Sequence, residues 1–451
     1  MTMDWNGPYF TVSDIRRLVE GKFTTGISAA ERAAIDKRVA NFLRTKSAPG
    51  ISIAIAQDDR LVYAKGFGYA KKPIWWALFT RGEPVSVWHR LRIASVTKPI
   101  TSAAIFTLIE QGRFSLSDKV FGTGGLLGNN YGYDKLPAGQ NKTRLGQITV
   151  QHLLEHTAGL PPNNGNDPMF IQPSMDHAAL ITWTLKNYNV ASNPGSVYAY
   201  SNFGYCLLGR IIEARGFLAY PTYIQSQIMP LCDVQTVALA GDTLAERQRD
   251  EVVYYKSSGA SSGPYDIPVA RMDSHGGLIS SAIDVVRFAI HLDGLPAVPD
   301  ILSSASIASM TTPTSGRYAK GWAVDQRSIV SATGASTLHT YRNHNGSLPG
   351  TIAWIVNRDD DLSWAALVNA GNPPSTDDVL DLMWDIVGSD IRVWPDSSFD
   401  LFPVYDNPWR AFLHAADPHP PHYDHATIPP LQVPPPPLPS WQQGRRNGSP
   451  S

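Results

Sequence analysis

Three short stretches of this chain carry residue types that can do nucleophilic chemistry together. In LRIASVTKPITSAAIFTLIEQG, residues 91–112, Ser95 stands three positions before Lys98. In VYAYSNFGYCLLGRIIEARG, Tyr200-Ser201-Asn202 directly precedes a helical pattern, whereas Tyr198 is followed two residues later by another tyrosine. In HNGSLPG, His344-Asn345-Gly346 closes a strand candidate and a turn at Gly350 follows. A helix beginning near Ser95 puts Lys98 one turn on and on the same face. Pro99 is tolerated only within a first turn, which fixes the start close to Ser95. Gly112 is placed to end the helix. Ile100, Ala103, Ala104, Ile105, Phe106, Leu108 and Ile109 surround its axis, so it belongs in a core.

On these residues alone two readings stay open. Ser95 can be an N-cap with Lys98 snorkelling to the surface. Alternatively Ser95 is a nucleophile and Lys98 its base. A lysine base near pH 7 must lose its proton about 3 pH units below its ordinary ~10.4, a differential interaction of about 4 kcal/mol. Burial and the positive end of a helix both act in that direction. A rival nucleophile stands in Gly259-Ala260-Ser261-Ser262-Gly263, a literal G-x-S-x-G. That motif needs a strand before it and a helix after it, and here a Ser/Gly-rich loop runs on into Pro264, so Ser261 is read as coincidence.

The elements that must position these residues follow from periodicity. Residues 29–46 have helical spacing, with Ala33, Val39, Ala40 and Leu43 on related faces. Residues 51–57 alternate, Ile51, Ile53 and Ile55 against Ser52, Ala54 and Ala56, and RLVYAKGFGYA returns after a turn at Asp58-Asp59. Helical patterns dominate 149–230. Residues 280–292 read as an amphipathic helix, and 375–388 as a closing helix. Strand candidates lie in GWAVDQ, STLHTYRNHNG, TIAWIVNRD and LSWAALVNAG. The expected fold class is α/β (α+β): an antiparallel sheet built from both chain ends, flanked by helices, with a mostly helical inserted subdomain. The expected division is an N-terminal extension at 1–28, a catalytic domain at 29–395 and a Pro-rich tail at 396–451. Within the domain, 29–110 and 270–395 form the α/β part and 111–269 the helical part. The aromatic IWWALF and the Gly-rich 121–132 segment could wall a cleft, or Trp75 and Trp76 could simply seal the hairpin.

Composition bounds the function. The 451 residues are 43% hydrophobic and 17% charged, with a net charge of −1, so nothing steers the molecule toward nucleic acid or acidic lipid. Two cysteines, Cys206 and Cys232, cannot make a disulfide framework or a four-ligand zinc site. No metal and no cofactor are expected; the tail histidines His414, His419, His422 and His425 have no regular spacing. No leader peptide and no run of ~20 apolar residues are visible, so no membrane span is expected and the expected location is cytoplasmic. The proline tail reads as extended or disordered, with a weak partner for it as the alternative.

In order and spacing, S-x-x-K, Y-S-N and H-x-G resemble the three motifs of the serine β-lactamase and penicillin-binding-protein superfamily. The nearest likeness is to its class C-like branch of β-lactamases, D-Ala-D-Ala carboxypeptidases, D-aminopeptidases and family VIII carboxylesterases. RIASVTKPITSAAI, ITVQHLLEHTAGL, YSNFGYCLLGRIIE, HGGLISSAIDVVRFA and YAKGWAVD extend it over roughly 29–390. The resemblance implies a β-lactamase/transpeptidase-like fold. It also implies Ser95 as acylated nucleophile, Lys98 and Tyr200 sharing the acid/base work, and Asn202 bonding substrate. The backbone N–H groups of Ser95 and Ser347 would form an oxyanion hole, with His344 and Gly346 at the cleft edge. Ser201 reads as a helix cap, and His152 and His156 as groups that support the fold. The family's β-lactamases carry K-T-G at the third motif, and this chain has H-N-G. The fixed positive charge for a substrate carboxylate is therefore missing. By the two-residue strand period Arg342 shares a side with His344, and the expectation is that it meets such a carboxylate instead. The leading expectation is a carboxylesterase acting on a small-molecule ester. A D-amino-acid peptidase or amidase, a β-lactamase or D-Ala-D-Ala carboxypeptidase, and an acyltransferase are the alternatives for amide, lactam or transfer substrates. A catalytically dead binding module is the alternative outside enzymes.

Overall fold

The computed structural model describes residues 27–73, 82–234, 236–330, 336–370 and 374–406. Trp75, Trp76, most of the N-terminal extension and the tail histidines lie outside that set. Everything below concerns the unit that ends at Val404.

The described residues open with helix α1, Ala29–Thr45, started by a reciprocal capping box between Ser28 and Glu31. Strands β1 (Gly50–Gln57) and β2 (Arg60–Lys71) form a hairpin, and β3 (Glu83–Pro84) and β4 (Leu91–Arg92) are short. A 3-10 turn, Ala94–Val96, runs into α2, Thr97–Glu110. The inserted region carries short helices together with α3 (His177–Asn187) and α4 (Asn202–Gly216), and then β5 (Ala238–Leu239). The chain returns through β6 (Leu278–Ser280) and α5 (Ala282–Ile290) to β7 (Ala323–Val330), β8 (Ser336–Leu348), β9 (Thr351–Arg358) and β10 (Leu362–Asn369). Helix α6, Thr376–Asp385, follows.

Among the described residues the large sheet has the order β3-β2-β1-β10-β9-β8-β7. Its centre is the antiparallel pair β1 and β10, in register from Gly50 opposite Asn369 to Gln57 opposite Leu362. The two ends of the chain therefore meet in the middle of the sheet, as the sequence pattern predicts. Ile51, Ile53 and Ile55 join Val39 and Phe42 of α1 and Leu382 and Met383 of α6 in one core. On the other face the small Ser52, Ala54 and Ala56 leave room for α5, which packs on β1, β9 and β10. Helix α5 forms where the sequence places it. It reads as amphipathic, but all nine of its residues are buried, Asp284 and Arg287 included.

The tail boundary also moves. Residues 396–404, assigned to the tail by composition, hold β2: Asp400 Oδ1 accepts from the Leu61 N–H at 3.0 Å, and the Leu61 carbonyl accepts from the Leu401 N–H at 2.9 Å. The Gly-rich 121–132 segment is irregular, as expected, but it walls no cleft at Ser95. Its Leu126 carbonyl accepts from Arg215, at the C-terminal end of α4 and about 20 Å along that helix from Asn202. Among the described residues no helix is long and apolar enough to cross a membrane. Cys206 and Cys232 are both free and buried.

Candidate active site

Ser95 sits in the 3-10 turn between β4 and α2. Ile93 just before it is tied to β6 by its N–H, which donates to the Leu278 carbonyl at 3.0 Å. Ala94 has φ +47°, a left-handed conformation rare for a residue with a Cβ. Strand β8 holds the turn from the other side. A Cβ at Gly346 would lie 2.3 Å from the Ile93 carbonyl oxygen and 3.0 Å from Ser95 N, so only glycine permits this approach. From Leu91 to Phe106, Ser95 alone is not buried. The turn thus lifts one hydroxyl out of an otherwise closed helix start.

Lys98 is fully buried, and its ammonium position has three polar neighbours. Nζ lies 3.0 Å from Ser95 Oγ, 2.9 Å from Asn202 Oδ1 and 2.8 Å from the His275 carbonyl oxygen. A neutral amine has two hydrogens and one lone pair. The amide and carbonyl oxygens can only accept, so they take the hydrogens, and the lone pair is left facing the Ser95 hydroxyl. Burial pushes the Lys98 pKa well below its ordinary value, against an opposing pull from Asp167. The centroid of the Tyr200 ring lies 4.8 Å from Nζ, and the Ser95 side chain is the polar neighbour that acts on its phenol. Desolvation raises the Tyr200 pKa, so this phenol holds its proton and can donate it.

Tyr200 is held from both sides by His156. The His156 carbonyl accepts from the Ala199 N–H at 2.8 Å, and its ring Nδ1 accepts from the Ser201 N–H at 3.1 Å. The ring lies 4.2 Å from that of Tyr200. Ser201 caps α4, accepting from the Gly204 N–H at 3.2 Å. His152 completes a cap on Thr149. Ser261 lies in an exposed bend, with neither strand before it nor helix after it.

Three expected substrate contacts are turned elsewhere. Asn202 is buried, and its amide runs from Lys98 to Asp167, whose Oδ2 accepts from Nδ2 at 2.9 Å. His344 is buried with both ring nitrogens engaged, Nδ1 2.6 Å from the Asn345 carbonyl oxygen and Nε2 3.1 Å from the Tyr318 hydroxyl. The carbonyl can only accept, so Nδ1 carries the hydrogen and Tyr318 donates to Nε2. Burial pushes the His344 pKa down to about 3, so it stays neutral. Arg342 does not reach the site. Its Nη1 donates to the Asp293 carbonyl at 3.1 Å and its charged neighbours are Asp293 and Asp300. Alternation gave the correct side of the strand but not the direction of a long side chain. Gly346 and the exposed Ser347 remain beside Ser95 on β8.

Asp167, Tyr318 and His275 were not singled out from the sequence. The Asp167-Pro168 pair signals a helix start, which the structure shows, but nothing local ties it to Lys98. The one three-donor cluster within metal-binding reach among the described residues, His339, Asp359 and Asp360, stands at the opposite end of β8 from Gly346.

Residues 35–387 match the sequence model of the Beta-lactamase family. Curated relatives include Protein flp of Staphylococcus aureus (strain N315), 29% identical over 208 residues, which are 46% of this chain and 38% of that protein. Another is a putative fimbrial assembly protein FimD, serogroup D, of Dichelobacter nodosus, 33% identical over 214 residues, 46% of this chain and 50% of that one. The match thus spans half or less of the length of these relatives. Among solved structures, the octameric penicillin-binding protein homologue from Pyrococcus abyssi aligns with a TM-score of 0.60 at 23% identity, over 79% of this chain and 77% of that one. The D-amino acid amidase from Ochrobactrum anthropi SV3 complexed with L-phenylalanine amide gives 0.61 at 20%, over 79% and 97%. The Beta-Lactamase/D-Alanine Carboxypeptidase from Pseudomonas syringae gives 0.60 at 19%, over 80% and 99%. At these identities the likeness is one of fold.

Proposed function

The chain belongs to the Beta-lactamase family, and from that premise we propose that it is a serine hydrolase working through an acyl-enzyme on Ser95, with carboxylic esters as its substrates. The observation that carries the hydrolase reading is the set of neighbours around Lys98 Nζ: two obligate acceptors and one hydroxyl. In acylation, Ser95 Oγ attacks the ester carbonyl while its proton passes to the Lys98 lone pair. The tetrahedral oxyanion is met by backbone N–H groups at Ser95 and Ser347. When the C–O bond breaks, the leaving alkoxide takes a proton from Tyr200, which recovers one from Lys98. Water then attacks the acyl-enzyme, its proton goes to the same pair, and the released acid leaves Ser95 as a hydroxyl.

The ester preference rests on charge. Neither His344, neutral and engaged, nor Arg342, turned to Asp293, supplies the fixed cation that a substrate carboxylate needs. A neutral acyl donor suits such a site better than a penicillin or a C-terminal D-alanine. The substrate is a small molecule, and the proposal keeps the cytoplasmic location and the absence of a nucleic-acid partner read from the sequence. A burst assay with p-nitrophenyl esters, nitrocefin and D-alanyl anilides tests it. The expected result is a burst and turnover with the esters at kcat/KM about 10²-fold or more above the other two. Preference for the anilide or for nitrocefin overturns the ester assignment.

A further inference from the structure

Lys98 and Tyr200 leave one buried acid of the site without a task. Asp167 lies in the loop before α3 and caps the short helix Pro168–Ile171, its Oδ1 accepting from the Met169 N–H at 2.9 Å. Its side chain is 0% exposed, so it cannot be a contact for substrate. Its other oxygen accepts from Asn202 Nδ2, and the same amide presents Oδ1 to Lys98. Arg271, the nearest fixed cation, spends its guanidinium on the carbonyls of Met169 at 2.7 Å, Met175 at 2.5 Å and Gln172, so it anchors the loop without bonding the carboxylate.

We propose that Asp167 is the positioning residue of the Lys98 base: through the Asn202 amide it fixes which atom Lys98 meets, and it holds the buried negative charge that lets Lys98 accept the Ser95 proton. The inference rests on the serine-hydrolase reading above. The argument for orientation is one of valence. A carboxylate can only accept, so Asn202 must turn its NH2 to Asp167 and its oxygen to Lys98. With the amide reversed, Nδ2 would compete with the Ser95 hydroxyl as a donor to the Lys98 lone pair. The argument for charge is one of solvation. A lysine that becomes an ammonium in an apolar pocket is costly unless an anion is near. The other titratable groups facing Lys98 are His156, His275 and His344, all held neutral by burial, and the phenols Tyr200 and Tyr205. Those facing Asp167 are Lys98, Arg271, Tyr188 and Tyr200; burial raises the Asp167 pKa, and the Asn202 and Met169 donors and the Lys98 and Arg271 charges pull the other way. Asp167 is thus the one acid among them. The line from Ser95 through Lys98 and Asn202 to Asp167 does for an ammonium what a buried aspartate does for a catalytic imidazolium.

The pH dependence of Ser95 phosphonylation tests this without knowledge of the substrate. A fluorophosphonate probe forms a Ser95 Oγ–P bond and expels fluoride, while the serine proton goes to Lys98. In wild type the rate has an acid limb where Lys98 becomes protonated. In Asp167→Asn, which keeps shape and an acceptor but not the charge, Lys98 loses its proton more easily. The limb moves to lower pH, and the plateau falls about tenfold because the ammonium formed is less well compensated. Should that variant fail to fold by circular dichroism, Asp167→Ser, with room for a water, carries the same expectation. A limb that stays in place or moves to higher pH in a folded variant overturns the role of Asp167. Wild-type protein that takes up no probe at any pH overturns the serine-hydrolase reading instead.

Discussion

At the scale of single residues, the account turns on one amine. Lys98→Met removes the base while keeping its bulk, and turnover falls about 10²–10⁴-fold. The Asn202 and His275 oxygens then lose their donor, at about 1–3 kcal/mol each, so the variant is also less stable. The sign of the pH effect separates this from generic damage. Folded Lys98 sheds its proton below the ~10.4 of the unfolded chain. Between those two values the unfolded state holds more protons, so stability rises with pH across that window. Urea midpoints at pH 7 and pH 9 must therefore differ more for wild type than for Lys98→Met.

At the scale of elements, the site is a contact between two pieces of chain far apart in sequence: the turn Ala94–Val96 and strand β8. Gly346→Ala pushes a methyl into the Ile93 carbonyl. The expected cost is about 1–3 kcal/mol with a loss of turnover larger than the loss of stability, read from thermal melts and ester hydrolysis. An unchanged kcat would mean that β8 does not set the Ser95 turn. What periodicity can show, it shows here: α2 begins beside Ser95 because of Pro99 and ends before Gly112, and the β1–β2 hairpin and strands β7 to β10 lie where alternation puts them. It does not show where long polar side chains go. Arg342 is on the anticipated side of β8 but reaches toward Asp293, and His344 turns inward to Tyr318. Asp167 lies in an irregular segment with no period to read, and its partner Asn202 is 35 residues away. Helix α5 has the amphipathic pattern that the sequence shows, yet it is buried on every side, for a related reason. A helix held between a sheet and the rest of the domain buries its polar residues as well, because Arg287 donates to the Asp233 carbonyl and the Asp284 carboxylate accepts from the Thr236 hydroxyl.

At the scale of the whole molecule, the pairing of β1 with β10 joins segments more than 300 residues apart, and the helical insert then presses a polar pocket onto the sheet. That pocket contains three histidines whose pKa burial has lowered: His156, His275 and His344, the last to about 3. In the unfolded chain each titrates near ~6.5. As pH falls from there toward 3 the unfolded state takes up protons that the folded state refuses, so stability is lost; above ~6.5 it is flat with respect to these groups. For His344 alone the loss between pH 6.5 and pH 5 is about 2 kcal/mol. Denaturant midpoints at the two pH values should show it, and the difference should shrink in His344→Asn. A midpoint unchanged down to pH 5 would contradict the burial of these imidazoles.

The most direct test of the central claim is to trap the acyl-enzyme. Wild-type protein mixed with a p-nitrophenyl ester, quenched in acid during the burst and digested, should give one acylated peptide, and fragmentation should place the acyl group on Ser95. An acyl group on Ser261 or elsewhere, or a burst without any adduct on the 91–112 segment, would contradict the account.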